Sequence, residues 1–292
     1  MTRPRAGPIG RVRVLSTGTV AIRPEQIGPT RKPVLWWLLT STEWTAPKPV
    51  NVFVVEHREG LVLFDTGQDR ASVTDPGYFP SGPAGLIYSR IAKPRMDTGD
   101  TLPARLAELG HDTGDVRRVV LSHLHHDHIG GLPHLGHAQI HAARAELDSL
   151  ARPFPRARGL LPDRIDLPGL QWKPIDFAPI DDPGAAPFTT GLDLYGDGSI
   201  LLLPTPGHTP GSTSMLVRRP GRRPLLMVGD LTFDAARLAA GIPTGTGDKR
   251  RSARTAANVA ALRARLPGLT VLAAHDPDAA ALLEQAEQPY RD

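Results

Sequence analysis

Residues 122–131, with the sequence SHLHHDHIGG, contain the densest group of potential metal ligands in this chain. Neutral imidazoles and carboxylates are the ligands that Zn²⁺ accepts when thiolates are absent, and this chain has no cysteine. His123 and His125 are two positions apart, so in extended backbone both side chains can point toward one ion. Asp127 and His128 lie just beyond the predicted turn and can serve a second ion. The segment therefore predicts a metal centre.

Two ions need more ligands, and the chain supplies them directly after predicted strands. His208 follows the apolar run 200–203, Asp230 follows 225–228, and His275 follows 269–273. Binding residues often lie in the loops that follow the strands of an α/β scaffold. We therefore expect these three side chains to join the histidine segment.

The elements that must position these residues follow from apolar patterning and turn residues. We predict strands at 11–15, 50–55, 61–64, 116–121, 192–195, 200–203, 215–217, 225–228 and 269–273, and helices at 102–109 and 252–266. Strands come in runs with helices between them, which indicates a mixed α/β fold. No linker divides the chain, so we expect one domain over 1–292. Residues 152–187 hold eight prolines, and we expect them to form an irregular insert.

Composition narrows the class of protein further. The chain has 292 residues, 40% of them hydrophobic, with a formal net charge of +4. No dense basic run accompanies that charge and no apolar stretch could span a membrane, so we expect neither nucleic-acid nor membrane binding. We also expect a cytoplasmic protein, because no apolar segment follows the basic N-terminal residues. The missing cysteines exclude a disulfide framework and a cysteine nucleophile.

Taken together, these residues resemble the metallo-β-lactamase superfamily, from about Val12 to Asp276. The resemblance implies an αβ/βα sandwich with a dinuclear metal site at the loop ends of two sheets. It implies that His123, His125 and His208 bind one ion, that Asp127, His128 and His275 bind the other, and that Asp230 bridges both. It also matches Asp65, within residues 63–67, to a position that supports the metal ligands. Zn²⁺ is the expected ion at both positions.

Within that family the layout is closest to the N-acyl homoserine lactonases, the quorum-quenching enzymes. The resemblance implies a hydrolase in which a metal-bridging hydroxide opens a lactone or ester, while Asp127 relays a proton to the leaving group. A glyoxalase II-like thioester hydrolase and a phosphotriesterase-like hydrolase remain alternatives, and so does a metal-binding protein without activity. Phe233 stands where the best-known lactonases have a tyrosine, and this departure favours the thioester alternative.

A small-molecule substrate would need an apolar pocket beside the metals. Aromatic residues in loops near the predicted site can line such a pocket. The candidates are Phe233, Trp36, Trp37, Tyr78, Phe79 and Tyr88. The resemblance also allows a homodimer.

The first prediction concerns the source of the nucleophile. The sequence contains no nucleophile elbow of the G-x-S-x-G type and no cysteine. We therefore expect strong chelators to abolish hydrolysis and serine-directed reagents to leave it unchanged. Steady-state rates before and after metal removal measure this. Full activity in rigorously metal-free protein would refute the metal-dependent mechanism.

Overall fold

Two β-sheets divide the chain in sequence order in the computed structural model, which describes residues 7–242 and 244–290. The first sheet contains β1 (Ile9–Ile22), β2 (Lys48–His57), β3 (Gly60–Phe64), β4 (Ala92–Arg95), β5 (Val116–Val120), β6 (Gln139–Ala143) and β7 (Gln171–Ile175). The second contains β8 (Ala178–Pro179), β9 (Thr190–Asp193), β10 (Ile200–Pro204), β11 (Thr213–Val217), β12 (Leu225–Met227) and β13 (Thr270–Leu272).

The strand orders are β4-β1-β2-β3-β5-β6-β7 in the first sheet and β13-β12-β11-β10-β9-β8 in the second. In the first sheet, β3, β5, β6 and β7 run parallel, whereas β1 and β2 pair antiparallel. In the second, β12 and β13 are parallel and the pairs from β9 to β12 are antiparallel. The loops after β5, β10, β12 and β13 carry the predicted metal ligands, and the end of β3 carries Asp65.

Within the described residues, ten α-helices connect and cover the sheets, with short 3₁₀ turns between them. They are α1 (Pro24–Ile27), α2 (Val34–Thr40), α3 (Ala71–Thr74), α4 (Gly82–Ile91), α5 (Leu102–Glu108), α6 (Arg144–Leu147), α7 (Pro162–Ile165), α8 (Ala235–Ala239), α9 (Lys249–Arg265) and α10 (Ala279–Ala286). The longest, α9, begins where the Asp248 side chain accepts hydrogen bonds from Arg250 N and Arg251 N. Such a cap satisfies backbone donors that have no partner within the helix.

Three apolar layers hold the sandwich together, and the alternation of side chains along the strands creates them. On β2, Val52 and Val54 face outward, where Leu102 and Leu106 of α5 cover them. The alternate residues of β2 face the second sheet and meet side chains of β10 to β13. The outer face of the second sheet is covered by α8 and α9, for example through Leu262. The order of layers is α, β, β, α, which confirms the predicted αβ/βα sandwich.

Most predicted elements are present, with some shifts in their limits. All nine predicted strands exist, although β1 runs to Ile22, well beyond the predicted 11–15, and β9 begins and ends two residues early. The helix predicted at 252–266 begins three residues sooner, because Asp248 caps it.

Three expectations about irregular segments were wrong. The segment with Trp36 and Trp37 was expected to be a loop and is helix α2, and Tyr88 lies on helix α4. Residues 152–187 contain β7 and β8, the edge strands of the two sheets, so the proline-rich segment carries the chain from one sheet to the other. Proline lacks a backbone N–H group. It fits an edge strand because the N–H groups on the outer side of such a strand do not pair with a neighbouring strand.

Among the described residues, no helix is both long enough and apolar enough to cross a membrane.

Candidate metal centre

The seven predicted ligands meet at one edge of the sandwich, in the loops after β5, β10, β12 and β13. The histidine segment follows β5, and His208 lies in the loop between β10 and β11. This loop rests on the start of α9, since Asp248 N donates to Gly207 O (2.8 Å) and Thr255 Oγ1 to Pro206 O (2.7 Å). Tertiary structure thus brings together residues that are up to 152 positions apart in the chain, from His123 to His275.

His123, His125 and His208 form one group of converging nitrogens. His125 Nδ1 lies 3.0 Å from His123 Nε2 and 3.0 Å from His208 Nε2. Zn–N bonds of about 2.0–2.1 Å allow three nitrogens this close together to bind a single ion. The burial of these rings lowers the pKa of His125 and His208 to about 4, and that of His123 well below its usual value. The imidazoles are therefore neutral at pH 7, which is the form that binds metal.

Asp127, His128 and His275 form a second group beside the first. Asp127 Oδ2 lies 3.4 Å from His275 Nε2, and Asp127 Oδ1 lies 3.8 Å from His128 Nε2. Burial by itself would lower the pKa of both histidines, but the neighbouring carboxylates outweigh it and raise both values. A cation bound at this group would therefore compete with protons for the histidine nitrogens.

Asp230 lies between the two groups. Its Oδ2 is 3.5 Å from His208 Nε2 in the first group, and its Oδ1 is 3.4 Å from both His128 Nε2 and His275 Nε2 in the second. Burial opposes ionisation of this carboxyl, but His275 and His128 hold its pKa well below the usual range. Asp230 Oδ1 and His128 Nε2 are buried without a hydrogen-bond partner among the described residues. Unsatisfied buried atoms of this kind fit a position occupied by metal ions.

Other protein groups occupy the second nitrogen of each of three ligands, which leaves one nitrogen of each ring for an ion. His128 Nδ1 donates to Asp65 Oδ2 (2.8 Å), and His275 Nδ1 donates to Pro49 O (2.9 Å). His123 Nδ1 lies 2.9 Å from Ser122 Oγ, which itself donates to Asp65 Oδ2 (2.8 Å). Asp65 therefore supports ligands of both groups.

The backbone of Asp65 is unusual, because its φ of 62° lies in the left-handed region. Few residues other than glycine adopt this conformation, and aspartate tolerates it better than most. The carboxylate also accepts a hydrogen bond from Ser122 N (2.7 Å), and Asp65 N donates to Val120 O (2.9 Å). These bonds fix the carboxylate under the histidine segment.

His125 receives its support from the proline-rich segment, which the sequence did not connect with the site. His125 Nε2 lies 3.3 Å from Arg158 O and donates to it, and the backbone of His125 forms a β-bridge with Leu160. Between these partners, Gly159 has a φ of 86° and lies directly against the imidazole. A backbone carbonyl has no signature in a sequence, so only the structure could reveal this contact.

His126, within the same segment, points away from both groups. Its ring packs edge-on to Phe79 at 5.1 Å and against Tyr88 at 6.0 Å, measured between ring centroids. It is buried and belongs to neither of the two groups of converging side chains. This placement matches the alternation of side chains along extended backbone.

A cavity of about 620 Å³ opens onto the metal-binding edge. Its apolar wall comes from β1, α2, α4 and the start of β4, and its floor includes Asp127, His208, Asp230 and His275. The apolar residues of the wall are Val20, Ile22, Val34, Trp37, Leu38, Ile87, Ile91 and Ala92. The volume is within the range of small-molecule sites.

The predicted substrate contacts divide into two sets. Trp37, Tyr88 and Phe233 line the cavity, and Phe233 stacks on His275 with ring centroids 5.7 Å apart. Trp36, Tyr78 and Phe79 do not line it: Trp36 is exposed on the outer side of α2, and the other two pack with Tyr88 beneath the cavity.

A sandwich of this kind, with two adjoining groups of histidines and carboxylates and Asp230 between them, is typical of metallohydrolases. Comparison with known proteins agrees. The family model of the metallo-β-lactamase superfamily matches residues 45–275. An N-acyl homoserine lactonase of Agrobacterium fabrum, AttM, is 32% identical over 251 residues, which cover 83% of this chain and 87% of that protein. A probable metallo-hydrolase of Mycobacterium tuberculosis is 30% identical and covers 90% of this chain.

Solved structures share the fold at lower sequence identity. The AiiA protein of B. thuringiensis, with N-decanoyl-L-homoserine bound at its active site, superposes with a TM-score of 0.74 over 98% of this chain and 99% of its own, at 19% identity. AidC, a dizinc quorum-quenching lactonase, superposes with a TM-score of 0.62 at 18% identity, over 94% of this chain and 90% of its own. The chain belongs to the metallo-β-lactamase superfamily and is a metal-dependent hydrolase.

The second prediction tests the contact between Gly159 and His125. A Cβ atom at position 159 would lie 2.6 Å from His125 Cδ2 and 2.7 Å from its Nε2. We expect Gly159→Ala to displace the ring and weaken the binding of one ion by about 10–100-fold, as loss of an outer ligand contact usually does. Zn²⁺ competition with a chromophoric chelator measures the change.

Gly169→Ala is the matched control. Gly169 lies in the same segment with a φ of 83°, but a Cβ atom there would meet no atom within 4 Å. Both substitutions carry the same left-handed backbone strain, about 1–2 kcal/mol, so both should lower the melting temperature. Only Gly159→Ala should change metal affinity. Equal affinities for the two variants would show that Gly159 does not position His125.

Proposed function

We propose that this chain is an N-acyl homoserine lactonase that opens the lactone ring at two metal ions. The observation that carries the proposal is the position of Asp230 between two ligand groups, directly below an apolar cavity. The similarity to AttM over most of both chains supports the substrate class. We further propose that residues 1–292 act as one catalytic unit.

The seven residues would hold the ions as two sets that share Asp230. His123, His125 and His208 are the proposed ligands of the first ion, and Asp127, His128 and His275 those of the second. A ligand set of imidazoles and carboxylates without thiolate favours Zn²⁺, and the dizinc centre of AidC supports that choice. When bound, such ions lower the pKa of water and polarise a carbonyl group.

Asp127 is the group best placed to move a proton. Its side chain is 14% exposed and borders the cavity, whereas the side chain of Asp230 is only 7% exposed. Burial opposes ionisation of Asp127, but His126, His128 and His275 hold its pKa well below the usual range. We propose that this carboxylate takes up the proton that the attacking water loses and donates it to the ring oxygen as the ester bond breaks.

The apolar wall of the cavity is suited to the acyl chain. This wall includes Trp37 and Leu38 of α2, Ile87 and Ile91 of α4, and Val20 and Ile22 of β1. A chain in this position would leave water along its length, at about 0.8 kcal/mol for each methylene group. The amide and lactone groups would then lie over the metal-binding edge.

Phe233 favours one second candidate, a thioester hydrolase. The ring is 4% exposed and packs with Val20, Ile22 and Val50, and it offers no hydrogen-bond donor to a lactone carbonyl. A thioester needs less help at this point, because a thiolate is a better leaving group than an alkoxide. The same cavity could hold the acyl part of either substrate.

The third prediction tests the substrate class and the direction of the acyl chain. We expect kcat/KM for homoserine lactones to rise from the butanoyl to the decanoyl derivative, by at most about fourfold for each methylene group. Ile87→Asn should lower the decanoyl value about tenfold, because a polar group then lines the apolar wall. The butanoyl value should stay within about twofold. Steady-state hydrolysis across an acyl series measures both.

Leu86→Asn is the control for Ile87→Asn. Leu86 is the preceding residue on α4, is 54% exposed and does not line the cavity. This variant should match the parent on every substrate. Acyl thioesters and phosphotriesters complete the substrate panel. Metal-loaded protein that turns over thioesters but no lactone would contradict the proposed substrate class.

The fourth prediction uses the stacking of Phe233 on His275. Phe233→Tyr nearly preserves volume and adds a donor at the cavity. We expect the variant to retain both ions and to hold or raise lactone kcat/KM, by less than the approximately 2.7–4 kcal/mol that one oxyanion donor can contribute. Assays on one acyl homoserine lactone at matched metal content measure this.

A fully metallated, folded Phe233→Tyr protein that loses tenfold or more of its lactone activity would show that the lactone carbonyl does not lie beside residue 233. That result would favour the thioester candidate.

A further inference from the structure

Glu146 is a buried carboxylate that connects the two loops of the three-histidine group. It lies on α6 and is 1% exposed. Its Oε1 accepts a hydrogen bond from Leu124 N (3.2 Å), and its Oε2 accepts one from Gly211 N (3.0 Å). Leu124 stands between His123 and His125, and Gly211 lies three residues after His208. One side chain therefore bonds to both loops.

No lysine or arginine among residues 7–242 and 244–290 forms an ion pair with Glu146. A buried carboxylate without a cation costs free energy unless other groups satisfy it. Here two backbone N–H groups satisfy it, one on each oxygen, at 3.2 and 3.0 Å. Because solvent does not reach the Glu146 carboxylate, water cannot replace these two N–H donors, and the hydrogen bonds hold them in place.

The fit at Gly211 is close. A Cβ atom at that position would lie 2.4 Å from Glu146 N and 2.5 Å from Glu146 Cβ. The backbone of this loop therefore packs directly against the start of α6, and a residue with a Cβ atom would not fit at position 211. This contact sets the distance between the His208 loop and α6.

The second ligand group is supported by other residues. His128 bonds to Asp65, and His275 bonds to the carbonyl of Pro49. Neither contact involves Glu146 or the Gly211 loop. Asp65 contacts ligands of both groups, since it also reaches His123 through Ser122. The two hydrogen bonds of Glu146, in contrast, go to the loops of the three-histidine group.

We propose that Glu146 is a positioning residue that sets the spacing of His123 and His125 from His208, and with it the affinity of this group for its ion. The proposal rests on the proposed function in that the three histidines bind an ion. It predicts an asymmetric effect, in which the loss of the Glu146 carboxylate weakens one ion and spares the other.

The fifth prediction uses Glu146→Gln, which preserves shape but presents an NH₂ group to one of the two backbone N–H donors. We expect affinity for one Zn²⁺ to fall about 10–100-fold, with the other unchanged. Chelator competition gives both affinities, and elemental analysis gives the stoichiometry. Co²⁺ spectra should show the loss of one site, a change that a general loss of stability would not produce.

Asp148→Asn is the control. Asp148 is two residues further along, is exposed, and loses the same charge on substitution. It should keep both ions at parental affinity. The proposal is overturned if Glu146→Gln also keeps both affinities, or if it loses both ions together while its circular dichroism stays unchanged. A parent protein that binds fewer than two ions would instead overturn the proposed function.

If Glu146→Gln does not fold, amide hydrogen exchange in the metal-free parent decides the question. Amide protons of Leu124 and Gly211 that donate to a buried carboxylate should exchange as slowly as those of the neighbouring strands. Exchange at the rate of an open loop would overturn the proposal.

Discussion

The concentration of titratable groups at one edge of the sandwich is the constraint on which the rest of the structure depends. Five imidazoles and two carboxylates converge there, and most of these side chains are nearly inaccessible to water. Burial lowers the pKa of His125 and keeps that ring neutral, whereas the attraction of oppositely charged neighbours outweighs burial at His128 and Asp230, raising the pKa of the imidazole and lowering that of the carboxyl. Buried nitrogens and oxygens without a partner cost free energy, and bound divalent cations would supply the missing partners.

The contacts behind the ligands show how the fold keeps that set in place. Four loops deliver the seven side chains, and each loop is attached to a different part of the sandwich. Asp65 fixes His128, Pro49 O fixes His275, and Arg158 O fixes His125. Glu146 joins the loops that carry the remaining nitrogens of the first group. Ligands that are oriented in advance lose little entropy when an ion binds, which favours high affinity.

The apolar cavity wall and the candidate metal-binding edge come largely from different parts of the chain. The metal-binding edge belongs to the sandwich, whereas the apolar cavity wall comes largely from α2 and α4, which lie outside the two sheets. A hydrolase of this fold can therefore change its substrate through such segments while it keeps its ligands. Phe233 is the point where the two parts meet, because its ring borders the cavity and stacks on His275.

The sequence by itself determined the order of layers and the strands whose ends carry the seven candidate ligands. The histidine spacing and the alternation of apolar residues are local, so they can be read directly from the chain. The helices α2 and α4 were missed because their apolar residues face a cavity and solvent as well as the core. Glu146, Arg158 O and Gly159 could not be found, since a hydrogen bond from a distant backbone group leaves no local pattern. Only tertiary packing, which places α6 and the proline-rich segment against the histidine loops, decided which residues hold the site together.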